Sequence, residues 1–133
     1  MLDNCYTFNI ETFNDARGSL SVIENNAGLP FEIQRLYYLH NTQDQCIRGV
    51  HAHKKLEQII VAFYGRFEIH LDDGTNKKTF ILDDPSVGLY VCPMVWREVI
   101  PVGDGGICAV LASRKYEEED YIHDYSSFLL FTE

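Results

Sequence analysis

The stretch Arg48-Gly49-Val50-His51-Ala52-His53-Lys54-Lys55-Leu56-Glu57-Gln58 holds the densest set of side chains able to do chemistry. On a β-strand, residues two apart share a face, with side chains roughly 7 Å apart. His51 and His53 would then project together, with Ala52 on the other side. Paired imidazoles can hold a metal ion or move protons. A plainer alternative is a pair of strand histidines with satisfied hydrogen bonds. Proton movement suits one reaction class well. Shifting a ketone to the adjacent carbinol carbon needs removal of a carbon-bound proton beside the carbonyl, which gives an enediolate. That species is reprotonated at the old carbonyl carbon while a second proton passes between the two oxygens. Histidine takes and returns protons near neutral pH, so one imidazole can serve the carbons and the other the oxygens. A nearby phenol can donate to the developing oxyanion.

The metal alternative has a specific pattern behind it. His-x-His-x-x-x-Glu resembles the first metal motif of the cupins, with His51, His53 and Glu57 at its ligand positions. The second cupin motif adds a histidine just beyond Pro-x-Gly. Here that stretch is Pro93-Met94-Val95-Trp96-Arg97-Glu98, where Val95 replaces the glycine and Glu98 stands in the histidine position. His40, His70 and His123 lie elsewhere. Three ligands can serve an open catalytic site, but the departures favour a site without metal.

The elements that would position these groups are strands. Leu20–Glu24, Phe31–Leu39, Gln58–Tyr64, Arg66–Leu71, Lys78–Leu82, Val87–Val91, Val95–Ile100 and Ile107–Ala112 are rich in β-branched and aromatic residues. Gly, Pro and Asp punctuate them, and Asp73-Gly74 marks a hairpin. Near-regular spacing of short strands predicts an antiparallel sandwich or barrel. A short turn around Tyr116–Tyr121 is the only helix expected. The 133 residues fit one domain spanning 1–133, with 46% hydrophobic residues to build a core. A net charge of −9 argues against nucleic acid or an anionic membrane as partner. The first residues lack a secretory pattern, and no run reaches the roughly 20 apolar residues of a membrane span. Cys5, Cys46, Cys92 and Cys108 are scattered, as reduced thiols of a cytoplasmic protein would be.

Several segments together resemble the bacterial nucleotide-sugar 3,4-ketoisomerases, cupins acting on dTDP-4-keto-6-deoxyglucose. They are Asp15-Ala16-Arg17-Gly18-Ser19-Leu20, Pro30 to Tyr38, Arg48 to Lys54, Leu89 to Trp96, Leu111-Ala112-Ser113, Tyr116, and Asp120-Tyr121-Ile122 before Phe128. The resemblance implies an all-β, cupin-type antiparallel jelly-roll barrel. It implies conversion of the 4-keto sugar to a dTDP-3-keto-6-deoxyhexose for deoxy-amino-sugar biosynthesis, with neither metal nor organic cofactor. It also implies a homodimer, often with exchanged N-terminal strands. His51 and His53 fall on the family's histidine pair and Tyr37 on its active-site tyrosine. Strand parity agrees, since Ile33, Arg35, Tyr37 and Leu39 share one face.

A dTDP-sugar carries a pyrophosphate, which the planar fork of arginine binds in bidentate fashion. Arg17, Arg35, Arg48 and Arg97 are the candidates. Arg48 has the opposite parity to His51 and needs a bulge at Gly49 to reach the same cavity. Trp96 could stack on the base, line the sugar site or belong to the core. The rivals are a dTDP-sugar 3,5-epimerase, a silent nucleotide-sugar-binding cupin and a metal-dependent cupin oxygenase.

Overall fold

Alternating apolar residues drive the chain into strands, and two of these strands organise all the rest. A computed structural model describes all residues, Met1–Glu133. Its strands in chain order are β1 (Tyr6–Asn9), β2 (Glu11–Asp15), β3 (Gly18–Val22), β4 (Arg35–Leu39), β5 (Arg48–His53), β6 (Gln58–Asp72), β7 (Lys77–Leu82), β8 (Val87–Val91), β9 (Trp96–Ala112) and β10 (Tyr121–Ile122). One helix, α1 (Tyr125–Phe131), follows.

β6 and β9 are antiparallel partners over most of their length, from Gln58↔Ala112 to Asp72↔Trp96. Their register slips on either side of Tyr64. There Gly65 holds φ +84 and a Cβ on it would meet the Gly106 Cα at 3.1 Å, so the ribbon can bend sharply only without side chains. On one side of the bend lie β1, β8, β6, β9 and β4; on the other lie β7, β6, β9, β5 and β10. The two wings face each other across a core that takes Ile60, Ala62, Leu89, Val91 and Val110 from one and Phe67, Ile69, Leu71, Leu82 and Val99 from the other. This is the antiparallel jelly roll of a cupin.

The outer faces are covered as well. Ile59, Val61 and Leu111 pack beneath Ile10, with Leu29, Phe31 and Ile33 against them. Ala52 and Trp96 on the other wing pack with Ile122 and Phe128.

Several expectations are corrected. Gln58–Tyr64 and Arg66–Leu71 form one bent strand, as do Val95–Ile100 and Ile107–Ala112, because a bulge absorbs the glycines without ending the ladder. β4 begins only at Arg35; Asn25 ties down the segment before it through both the N–H and the C=O of Ile33. The N-terminal strands β1 and β2 are too rich in Asn, Asp, Glu and Thr to stand out in composition. The Tyr116–Tyr121 region holds only a 3-10 turn at Glu118–Asp120, while the true helix starts at Tyr125. Asp124 caps that helix by accepting from the Ser127 N–H.

Asp120 ends that 3-10 turn and fixes the exit of β5. Its buried carboxylate accepts from the backbone N–H of Lys55 at 2.9 Å and of Leu56 at 3.2 Å, and its carbonyl accepts from Lys54 N–H at 3.0 Å. Asp120→Ala removes the two side-chain acceptors and is expected to cost roughly 1–3 kcal/mol. A lowered urea midpoint would show it. Asp120→Asn, which keeps one acceptor oxygen, should lose less.

Candidate active site

β5 lies beside β9 in the sheet and carries His51 and His53 on one face, with ring centroids 4.7 Å apart, as the spacing predicts. The pairing runs Arg48↔Val99 and then His51↔Arg97, so β5 spends three residues where β9 spends two. That extra residue is a bulge, and Gly49 occupies it with φ +62. A Cβ there would lie 2.5 Å from Arg97 Nη1. The bulge also reverses the parity of Arg48, which lines the same cavity as His51.

The cavity has a volume of about 490 Å³. Arg35, Tyr37 and Leu39 of β4 form one wall, Arg48 and His51 of β5 another, and Arg97, Val99 and Val110 of β9 the floor. Tyr116, Tyr121 and His123 close it from the C-terminal segment. No carboxylate is among its lining side chains.

Arg97 is the centre of this arrangement. It is 2% exposed, and its Nη2 donates to Tyr37 Oη at 2.8 Å and to His51 Nε2 at 3.1 Å. The His51 ring proton therefore sits on Nδ1. His53 is 1% exposed and lies behind His51, with ring centroids 4.7 Å apart. The Gln58 amide nitrogen, as oriented here, donates to its Nδ1 at 3.2 Å, and its Nε2 has no protein partner. Arg35 donates to Tyr121 Oη at 3.2 Å and lies 5.0 Å from the Tyr37 ring centroid.

Burial, with the Arg97 charge second, lowers the His51 pKa to about 3 and the His53 pKa to about 2. Both imidazoles are thus neutral near pH 7, with the lone pair of His51 facing Arg97 and that of His53 facing Gln58.

The family described as FdtA, WxcM-like, C-terminal, matches residues 3–133. The chain belongs to this family. It is 46% identical, over 120 residues, to a TDP-4-oxo-6-deoxy-alpha-D-glucose-3,4-oxoisomerase of Aneurinibacillus thermoaerophilus; the match covers 90% of this chain and 86% of that one. A 3,4-ketoisomerase from Helicobacter canadensis superposes with a TM-score of 0.93 at 43% identity, over 97% of both chains. The sugar 3,4-ketoisomerase QdtA from Thermoanaerobacterium thermosaccharolyticum, in complex with TDP, gives 0.94 at 38%, over 99% of this chain and 96% of that one. A histidine-to-asparagine variant of QdtA was solved in complex with TDP-4-keto-6-deoxyglucose.

Of the residues singled out in the sequence, His51, Tyr37, Arg35, Arg48 and Arg97 meet at the cavity of this family member, and His53 backs it. Two do not. Trp96 precedes Arg97 on a strand and so faces the other way, into the cluster of Ala52, Ile122 and Phe128. Arg17 lies in the β2–β3 turn, fully exposed and paired with Asp15 at 2.6 Å, and does not line the cavity within one chain. Glu57, the third ligand position of the metal alternative, accepts from Tyr90 Oη at 2.6 Å and is not among the cavity side chains. Glu98 accepts from the Trp96 indole N–H at 3.2 Å. A cation at His51 Nε2 would have to displace a guanidinium. Tyr121 and His123 were missed in the sequence; the signal available was the alternation of Tyr121 and His123 just after Asp120.

The depressed histidines are expected to make the fold lose stability in acid. Below about pH 6.5 the unfolded chain protonates both, while the folded chain keeps them neutral down to about pH 3 and about pH 2. The unfolded state then binds more protons, so stability is present above pH 6.5 and falls with pH, by about 1.4 kcal/mol per unit per histidine. Urea unfolding at pH 7.5 and 5.5 should show this loss. His51→Asn should make the dependence shallower.

Proposed function

We propose that this chain is a sugar 3,4-ketoisomerase that moves the ketone of a TDP-linked 4-keto-6-deoxyglucose to carbon 3, with residues 1–133 acting as one unit. One observation carries the reading for this chain's own residues. Three guanidinium groups, two imidazoles and three phenols surround a cavity with no lining carboxylate, in a chain of net charge −9. Such a cavity suits a phosphorylated, enolisable ligand.

In the proposed reaction the guanidinium of Arg35 or Arg48 binds the diphosphate. His51, neutral and facing the cavity, takes the proton from carbon 3. The same Arg97 N–H that caps His51 Nε2 is drawn to the developing enediolate oxygen, which frees the imidazole lone pair as charge appears. Tyr37, held by Arg97, donates to the second oxygen. His53, whose Nε2 carries the ring proton while Nδ1 accepts from Gln58, gives that proton to one oxygen and takes the proton of the other oxygen back at the same Nε2, the nitrogen that the protein leaves unpartnered. His51 then delivers a proton to carbon 4. These roles require only groups the chain supplies.

A second copy of the chain is part of the reading. Phe13 and Leu20 on the β2–β3 hairpin are 58% and 59% exposed, and the hairpin pairs with no other strand. Exchange of such an apolar hairpin between two copies would cover it, and any contact of Arg17 with substrate would come through that exchange. The four free thiols suit the cytoplasm as its compartment.

Proton NMR of chelator-treated protein with TDP-4-keto-6-deoxyglucose in D2O tests the reaction. A 3-keto product is expected, with coupling constants that report the carbon 4 configuration. Deuterium at carbons 3 and 5 without a ketone shift would mean an epimerase instead, and TDP binding without reaction a silent module. His51→Asn should lower kcat by at least about 100-fold while thermal unfolding stays cooperative. Near-normal turnover would remove His51 from the mechanism. For the dimer, sedimentation should give twice the chain mass, and Phe13→Asp with Leu20→Asp should shift it toward one chain; an unchanged distribution would mean the hairpin is not the interface.

A further inference from the structure

Two imidazoles line the cavity, and the proposed reaction uses only that of His51. His123 follows β10, and its side chain is 57% exposed at the cavity mouth. Its Nε2 lies 2.9 Å from Glu118 Oε1, and the Tyr116 hydroxyl donates to the other Glu118 oxygen. Its ring stacks on Tyr121 with an interplanar angle of 14°. Its ring centroid stands 6.0 Å from that of His51, the two rings meeting edge to face at 69°.

Of the other groups around His51, Arg97 keeps its own protons and His53 is buried, while the hydroxyls of Tyr37 and Tyr121 accept from Arg97 and Arg35. His123 is the exposed imidazole among them. The charged and titratable groups facing His123 are Glu118 on the 3-10 turn, His51 on β5 and Tyr121 on its own segment.

We propose that His123, oriented by Glu118, exchanges the proton of His51 with bulk solvent during the reaction, and so acts through His51 rather than on the substrate. This rests on the reading of His51 as the carbon base. When the carbon–hydrogen bond breaks, its electron pair stays with the enediolate and the proton goes to His51. The His51 imidazolium passes that proton through a water to His123, whose Nε2 is oriented by the Glu118 carboxylate. A solvent proton returns along the same path and is delivered to the old carbonyl carbon. Charge and protons balance without any further reactant.

The test is the origin of the hydrogen at the new carbinol carbon, read by NMR at early conversion in D2O. Wild-type product should carry mostly solvent deuterium there. His123→Gln should turn over a fewfold more slowly and retain the substrate's own hydrogen roughly threefold or more above wild type. Glu118→Gln should lie between, and added imidazole should restore deuterium to the His123→Gln product. If His123→Gln fails to fold, Glu118→Gln with its own shift in label carries the test. Equal deuterium content in wild type and both variants, even with slowed turnover, would reduce the pair to a structural role. A wild-type product that already retains the substrate hydrogen overturns the proposal and leaves the ketoisomerase reading standing. No ketone shift in the wild type overturns both.

Discussion

Arg97 is a charge buried without a counter-ion. Withdrawing a guanidinium from water costs several kcal/mol, which a nearby carboxylate would normally offset. Here its hydrogen-bond partners are the Tyr37 hydroxyl and the His51 imidazole, and its Nε has none. Much of the site follows from that deficit. The charge helps keep His51 and His53 neutral, fixes which His51 nitrogen bears the proton, and aims a phenol into the cavity. The backbone yields to it too, because only glycine at position 49 leaves room for the guanidinium. A group so poorly compensated gains most from an anion, and a reaction that creates an oxyanion beside it gains in the transition state more than in the ground state.

The charge distribution extends this logic to the whole molecule. Carboxylates outnumber basic groups by 20 to 11, yet the cavity lining has arginines and no acid. Some of the carboxylates have structural work elsewhere. Asp120 ties down the end of β5, Asp124 caps α1, and Glu57 accepts from Tyr90. Asp72 accepts from Tyr125 and Glu98 from Trp96, on the outer face of the wing. On a chain with this net negative charge the cavity is a concave cluster of arginines without an acid, and its local field favours an anion.

Much of the site was legible because strands have a period of two. Arg35, Tyr37 and Leu39 share a face, as do His51 and His53, and the glycine before Val50 announced the bulge that brings in Arg48. The same rule, applied to neighbours, would have separated Trp96 from Arg97, since adjacent residues on a strand cannot both face one cavity. What the period does not reveal is which distant segment closes the site. Tyr116, Tyr121 and His123 arrive through a two-residue strand paired to His53 and Ala52, too short to leave a pattern. The bend that folds the two wings together was hidden for a related reason. Gly65 and the Gly103–Gly106 run looked like strand ends, yet β6 and β9 pass through them, because their ladder resumes on the far side with a shifted register.

The two histidines differ by environment rather than by type, and the difference suits a division of labour. His51 faces the cavity under the hand of Arg97, so its availability as a base depends on what else claims that guanidinium. His53 lies deeper, oriented by Gln58, with one nitrogen unpartnered. A buried unpaired nitrogen costs stability and is kept only where something else satisfies it. The oxygens of a bound enediolate are groups of that kind, and they present themselves one after the other as the ketone moves. In the proposed mechanism, an imidazole that neither titrates near neutral pH nor turns freely can hand a proton between two such oxygens without losing it to water, which is the demand the oxygen half of that mechanism makes.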